Sequence, residues 1–221
     1  EKRMKISKET LTLLKNFAQI SDSLRIYPGD ELITITSGQN IFAKVKVKET
    51  FPVEVNIHNL NNLLGILTYM ENDEIEFGEQ SLKILGASST FEYRYSARDT
   101  IFAPEKGKTI ELDTHFQFTL SAADIHMINK AVGITAAPFI EIQAKDNEAS
   151  IVISDEHKNM TQKIKIGVTN LNFVAKLNVE LFRILPETYN VTLSKRKFLH
   201  FNPQQEGIPE YFIALDPESI V

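Results

Sequence analysis

Short runs in which apolar and polar residues alternate dominate this chain, and turn residues separate them, as half-buried strands require. In the first half such runs fall at Leu24–Tyr27, Glu31–Thr36 and Asn40–Val47, with "YPGDE" and "TSGQN" as the turns between them. Further strands are expected at Val53–Ile57, Asp73–Phe77, Ser81–Leu85 and Thr90–Tyr95. Two stretches change to a helical period, Ser7–Ile20 and Asn59–Met70. The second half replays this order. A strand at Phe116–Leu120 leads into a helix at Ser121–Val132, and strands follow at Phe139–Ala144, Ala149–Ser154, Met160–Val168 and Phe173–Leu177. A short helix at Asn178–Leu185, stopped by Pro186, precedes strands at Thr188–Ser194, Lys197–Phe201 and Tyr211–Leu215. A strand–helix–three-strand unit is thus used four times, twice in each half. The pattern predicts an α+β protein of two similar domains, at 4–96 and 114–221. Between them "ARDTIFAPEKGKTIELD", residues 97–113, lacks clear periodicity and reads as a connector. Met4 reads as a natural first residue, with Glu1–Arg3 standing ahead of it.

The helices separate into two faces. In Ser7–Ile20 the residues Leu11, Leu13, Leu14, Phe17, Ala18 and Ile20 share one arc, while Lys8, Thr12, Lys15 and Gln19 form a narrow stripe opposite. Ser7 suits the N-cap, and Ser121 with Asp124 resembles a capping box. In Ser121–Val132 the residues Ile125, Ile128, Ala131 and Val132 face inward, and His126, Asn129 and Lys130 face out. The helix at Asn59–Met70 is apolar on one side and uncharged on the other, with Asn61, Asn62, Thr68 and Tyr69. Arg183 is the exposed cation of the last helix. Taken one helix at a time, such lysines are the ordinary solvated side of an amphipathic helix.

Composition narrows the function classes. The 221 residues carry a formal charge of −5, unlike the basic domains of most nucleic-acid binders, although the distribution of charge over faces matters more than its sum. There are no cysteines, which removes disulfides, thiolate metal sites and cysteine nucleophiles. No apolar run approaches the ~18 residues of a membrane span, and no leader opens the chain, which reads as cytoplasmic. His58, His115, His126, His157 and His200 show no metal-ligand spacing, and neither a phosphate loop nor a paired-carboxylate motif is present. No metal, cofactor or enzymatic activity is therefore expected. "SKRKF" at Ser194–Phe198 reads as a basic hairpin turn, with contact to nucleic acid as the other reading. Lys44, Lys46 and Lys48 share one face of a half-buried strand, and the acidic runs "YMENDEIEFGE" and "SDEHKN" read as solvated.

Four stretches carry a resemblance to a known family: "MKISKETLTLLKNFAQI", "NLNNLLGILTYMENDEIE", "STFEYRYSARDTIFAP" and "LNVELFRILPETYNVTL". They resemble the DNA sliding clamps of large tailed bacteriophages, the processivity factors of replicative polymerases, over essentially Met4–Leu215. The resemblance implies two clamp-fold domains with helices on one side of antiparallel sheets. Three copies would close head to tail into a ring whose hole is lined by the helices. Carried over by position, it makes Lys8, Lys15, His126, Asn129, Lys130 and Arg183 face duplex DNA, while Asn59–Met70 supplies no cation. Subunits would meet through "STFEYRY", with Thr90, Phe91, Tyr93 and Tyr95, and "TQKIKIG", with Lys163, Ile164, Lys165 and Ile166. The bland alternative for these two is an ordinary solvent-exposed edge. A pocket for partner peptides is guessed near Ile101, Phe102, Tyr211 and Phe212. Implied partners are double-stranded DNA held topologically, the polymerase and an ATP-driven clamp loader, in the cytoplasm of an infected host cell. Some phage relatives also contact transcription factors. The competing reading is a monomeric β-rich protein-binding module with no DNA role.

Overall fold

A computed structural model describes residues 2–70, 74–157 and 159–221. The first residue of the strand expected at Asp73–Phe77 and parts of both acidic runs lie outside the described residues. The chain divides into two compact units, Glu1–Thr109 with Gly207–Pro209, and Ile110–Glu206 with Glu210–Val221.

In the first unit, β1 (Lys2–Met4) and α1 (Lys8–Ile20) are followed by β2 (Leu24–Ile26), β3 (Gly29–Ile35), β4 (Ile41–Phe51) and β5 (Val55–Ile57). Then come α2 (Leu60–Tyr69), β6 (Glu74–Phe77), β7 (Ser81–Leu85) and β8 (Thr90–Arg94). The order β1-β6-β7-β8 makes one antiparallel sheet, β3 pairs with β4, and β2 with β5. The two helices pack on each other, joining Leu13, Leu14, Phe17 and Ile20 of α1 with Leu60, Leu63, Leu64 and Leu67 of α2 in the core. Each such side chain taken out of water contributes about 1.5–3 kcal/mol before conformational entropy is subtracted.

The second unit runs β9 (Thr114–Leu120), α3 (Ala122–Thr135), β10 (Phe139–Lys145), β11 (Glu148–Ser154), β12 (Thr161–Val168) and β13 (Phe173–Asn178). It closes with β14 (Tyr189–Ser194), β15 (Phe198–Pro203) and β16 (Glu210–Ala214). The orders β12-β11-β10-β13 and β16-β15-β14-β9 are antiparallel. Strict alternation along β10 sends Ile140, Ile142 and Ala144 inward, and α3 lays Ile125, Ile128 and Ala131 into the core of this unit. The helix begins at a full capping box: the Ser121 hydroxyl accepts from Asp124 N–H at 3.2 Å, and the Asp124 carboxylate accepts from Ser121 N–H at 2.9 Å. It ends on Ala136 at φ 49°, a left-handed turn in which a Cβ is strained.

Two expectations need correction, and one strand lies where none is expected. The fourth helix, placed over Asn178–Leu185, is a single 3-10 turn at Val179–Leu181. Asn178 caps it, Pro186 disfavours helical backbone at Leu185, and the Leu185 N–H is instead given to the Tyr211 hydroxyl at 3.2 Å. The arc drawn on α1 is also shifted: Thr10 and Asn16 are buried while Leu11 and Ala18 are only half-buried. Thr10 can go inside because its hydroxyl donates to Glu49 Oε2 at 2.6 Å. Finally, residues ahead of Met4 form β1, which pairs with β6 and brings Arg3 within 2.6 Å of Glu76. Three residues without alternation of their own gave no signal of that strand.

Candidate functional site

Helix periodicity sets which side chains leave the core. Lys8, Thr12, Lys15 and Gln19 are all exposed on α1, four neighbouring positions of one stripe. The start of this helix is held by Glu49 of β4, whose carboxylate accepts both the Ser7 N–H and the Thr10 hydroxyl. Burial pushes the Glu49 pKa up, but the hydrogen bonds from Thr10 and Ser7 outweigh it and hold the group below the usual carboxylate value. On α2, Asn59 caps the first turn by accepting from Asn62 N–H, and Asn61, Asn62, Thr68 and Tyr69 are exposed. This face has no ionisable group other than the Tyr69 phenol. On α3, His126, Asn129 and Lys130 are exposed beside Met127 and Ile134, the latter 72% exposed. The sequence reading leaves out the apolar part of that face, although Ile134 stands two residues beyond the expected helix end at Val132. Arg183 is exposed too, but it projects from the segment after the 3-10 turn, with its Nε donating to the Glu180 carbonyl at 2.8 Å.

β8 and β12 each lie at one end of a four-stranded sheet; among the described residues β8 pairs with β7 alone, and β12 with β11 alone. Phe91 on β8 is exposed, and Tyr93 and Tyr95 are half-buried; burial pushes the Tyr95 phenol up to about 12. On β12, Ile164 and Ile166 are half-buried, while Lys163 and Lys165 are exposed. Both lysines reach one carboxylate, Glu148 of β11, at 2.7 and 3.4 Å. Hydrogen bonding from Lys163, followed by its charge and by Lys165, holds the Glu148 carboxyl below the usual range. That carboxylate was not singled out from sequence, because only strand register brings it beside the lysines.

The guessed peptide pocket separates on burial. Tyr211 is fully buried, with its hydroxyl accepting from Leu185 N–H, so it serves the core of the second unit and lines no surface pocket there. Phe212 is buried against the His200 ring, with centroids 4.4 Å apart. Ile101 is buried in the first unit. Phe102 is 47% exposed and borders a cleft of about 390 Å³ with Gln19, Ser37, His58 and Thr100. The stretch around it is tied down. Arg25, buried in β2, donates through Nε to Asn56 Oδ1 at 2.8 Å and through its terminal nitrogen to the Arg98 and Ile101 carbonyls. Tyr27 donates its hydroxyl to the Pro104 carbonyl at 2.9 Å. Among the described residues no group of three or more His, Cys, Asp or Glu side chains could hold a metal ion. Nor is any described helix long and apolar enough to cross a membrane.

Solved structures share this fold. The PCNA2–PCNA3 complex of Sulfolobus tokodaii superposes with a TM-score of 0.71 at 13% identity, covering 98% of this chain and 100% of that one. Proliferating Cellular Nuclear Antigen from Entamoeba histolytica gives 0.70 at 16%, covering 97% and 98%. DNA polymerase III subunit beta from Pseudomonas aeruginosa gives 0.69 at 14%, covering 98% of this chain and 66% of that one. These likenesses define a clamp-fold protein, as the resemblance implied. No protein-family model matches the chain. Sequence relatives carry the assignment further. The sliding clamp of Enterobacteria phage T4 is 34% identical over 232 residues, covering 98% of both chains, and that of Vibrio phage KVP40 is 27% identical over 224 residues, covering 96% of this chain and 99% of its own. The chain belongs to the sliding-clamp family, whose members are not enzymes.

Proposed function

We propose that three copies of this chain close head to tail into a ring around duplex DNA and tether a replicative polymerase for processive synthesis. The observation that carries the reading is the 34% identity to a phage sliding clamp across nearly the whole of both chains. Physical reasoning supports it. Duplex DNA bears one negative charge per ~1.7 Å of axis, so a hole that admits it needs cations, and the exposed helix residues Lys8, Lys15 and Lys130 supply them together with Arg183. His126 and Asn129 add weaker polar contacts, and α2 adds uncharged ones. Tight ionic binding would oppose sliding, and a ring of three such chains would carry three times −5, or −15, so retention is topological rather than electrostatic. Edge strands β8 and β12 leave backbone groups unpaired and join one copy to the next, a heterologous contact that closes only at the right rotation. An ATP-driven loader opens the ring in the cytoplasm of the infected cell. Transcription factors belong to the same set of partners.

The test is a Lys15→Glu, Lys130→Glu double variant assayed on primed circular DNA with polymerase and loader, beside a native-mass measurement. We expect wild-type trimers, unchanged folding of the variant and shortened products. A wild-type chain that stays monomeric identifies a β-rich binding module instead, and full-length products from the double variant remove the DNA-facing role of the helices.

A further inference from the structure

The β8 and β12 edges carry different charged groups, in a way that the assembly reading alone does not require. On β8, register with β7 puts Phe91 and Tyr93 on the core side, opposite Ile84 and Leu82, and Glu92 on the outer side, opposite Lys83. Glu92 accepts the Ser81 hydroxyl at 2.7 Å and, among the described residues, has no cation within ion-pair distance. On β12, Ile164 lies opposite Ile151 on the core side, so the outer side carries Lys163 and Lys165. One edge therefore presents an unmatched carboxylate with the Arg94 guanidinium two residues on, and the other presents two ammonium groups sharing a single carboxylate, Glu148.

We infer that Glu92 of one copy pairs with Lys163 of the next, taking that lysine from Glu148 of its own chain. The inference rests on the ring reading above and fixes the register of the contact. Two edges that join into one sheet must put core side on core side, because a one-residue slip turns every side chain over. Among antiparallel registers that satisfy this, setting Glu92 opposite Lys163 also sets Arg94 opposite Thr161 and Thr90 opposite Lys165. Phe91 then meets Ile164, and the Tyr95 ring meets Met160, which is 46% exposed in the single chain. A slip of two residues one way leaves a lysine, Lys165, opposite Glu92 but puts Arg94 against Lys163, like charge on like; the other way sets Glu92 opposite Thr161, with no lysine. The exchange is cheap, since the Lys163–Glu148 pair is exposed and screened by solvent. Glu148 thus acts as a competitor that neutralises the edge of an unassembled copy and weakens the closed contact.

The experiment is a charge-reversal cycle read by sedimentation equilibrium at low and high salt, with circular dichroism confirming the fold of each variant. Glu92→Lys and Lys163→Glu should each weaken association about tenfold at low salt, and the double variant should recover most of the loss. Glu148→Gln should strengthen association severalfold, and all these differences should shrink at high salt. Single variants without effect, or a double variant no better than either single, overturn the inference while the ring reading stands. A wild-type chain that never self-associates overturns both.

Discussion

Thr10 and Glu49, 39 residues apart in sequence, are joined by a hydrogen bond of 2.6 Å that fixes the first turn of α1 to the end of β4. The same carboxylate takes the Ser7 N–H, so it satisfies a backbone donor that a helix start otherwise leaves open. The pKa of Glu49 lies below its ordinary value of 4.5 in the folded chain. Its contribution is therefore complete at neutral pH and is lost as pH falls through the lowered folded value. Glu49→Gln should cost about 1 kcal/mol at pH 7, and this difference should close at acid pH as the wild-type group protonates. Urea melts of both proteins across the pH range would show it.

The two ends of α3 predict changes of opposite sign. Ser121→Ala removes half of a capping box and should destabilise the protein by about 1 kcal/mol. Ala136→Gly relieves the left-handed backbone at the other end and should stabilise it by roughly 0.5–1 kcal/mol, the gain reduced by the greater freedom of glycine when unfolded. Thermal unfolding of the two variants separates these effects.

Leu185 sits between two buried tyrosines, giving its N–H to Tyr211 and accepting the Tyr189 hydroxyl at 2.9 Å. Tyr189→Phe leaves the carbonyl without that donor and should cost about 1–2 kcal/mol. The loss should appear as faster amide exchange in the segment that carries Arg183, measurable by hydrogen–deuterium exchange.

Arg25→Met should free the stretch from Arg98 to Pro104, since three acceptors lose the guanidinium that links them. We expect a loss of about 2–3 kcal/mol and new cleavage between residues 98 and 104 under limited proteolysis.

The sequence made most strands legible because alternation at period two survives wherever one face is buried, as along β10. It made the starts of α1 and α3 legible through Ser7 and Ser121, whose hydroxyls accept the expected N–H groups. Exposure of Lys8, Lys15, His126, Asn129 and Lys130 follows from the helical period of about 3.6. Elsewhere long-range partners decided the outcome. Nothing near Thr10 in sequence points to Glu49, and nothing near Glu148 points to Lys163; chain folding and β-pairing bring these partners together. The segment around Arg183 has helical composition, yet the Tyr211 hydroxyl takes the N–H that a further helical turn would use.

Arg25 and Tyr27 anchor residues 98–104, so the exposed Phe102 ring stands on backbone already fixed in place. Anything that met this ring would cost the receiving side little ordering entropy. Selection there would turn on the shape of the arriving surface, and flexibility would be demanded only of the visitor.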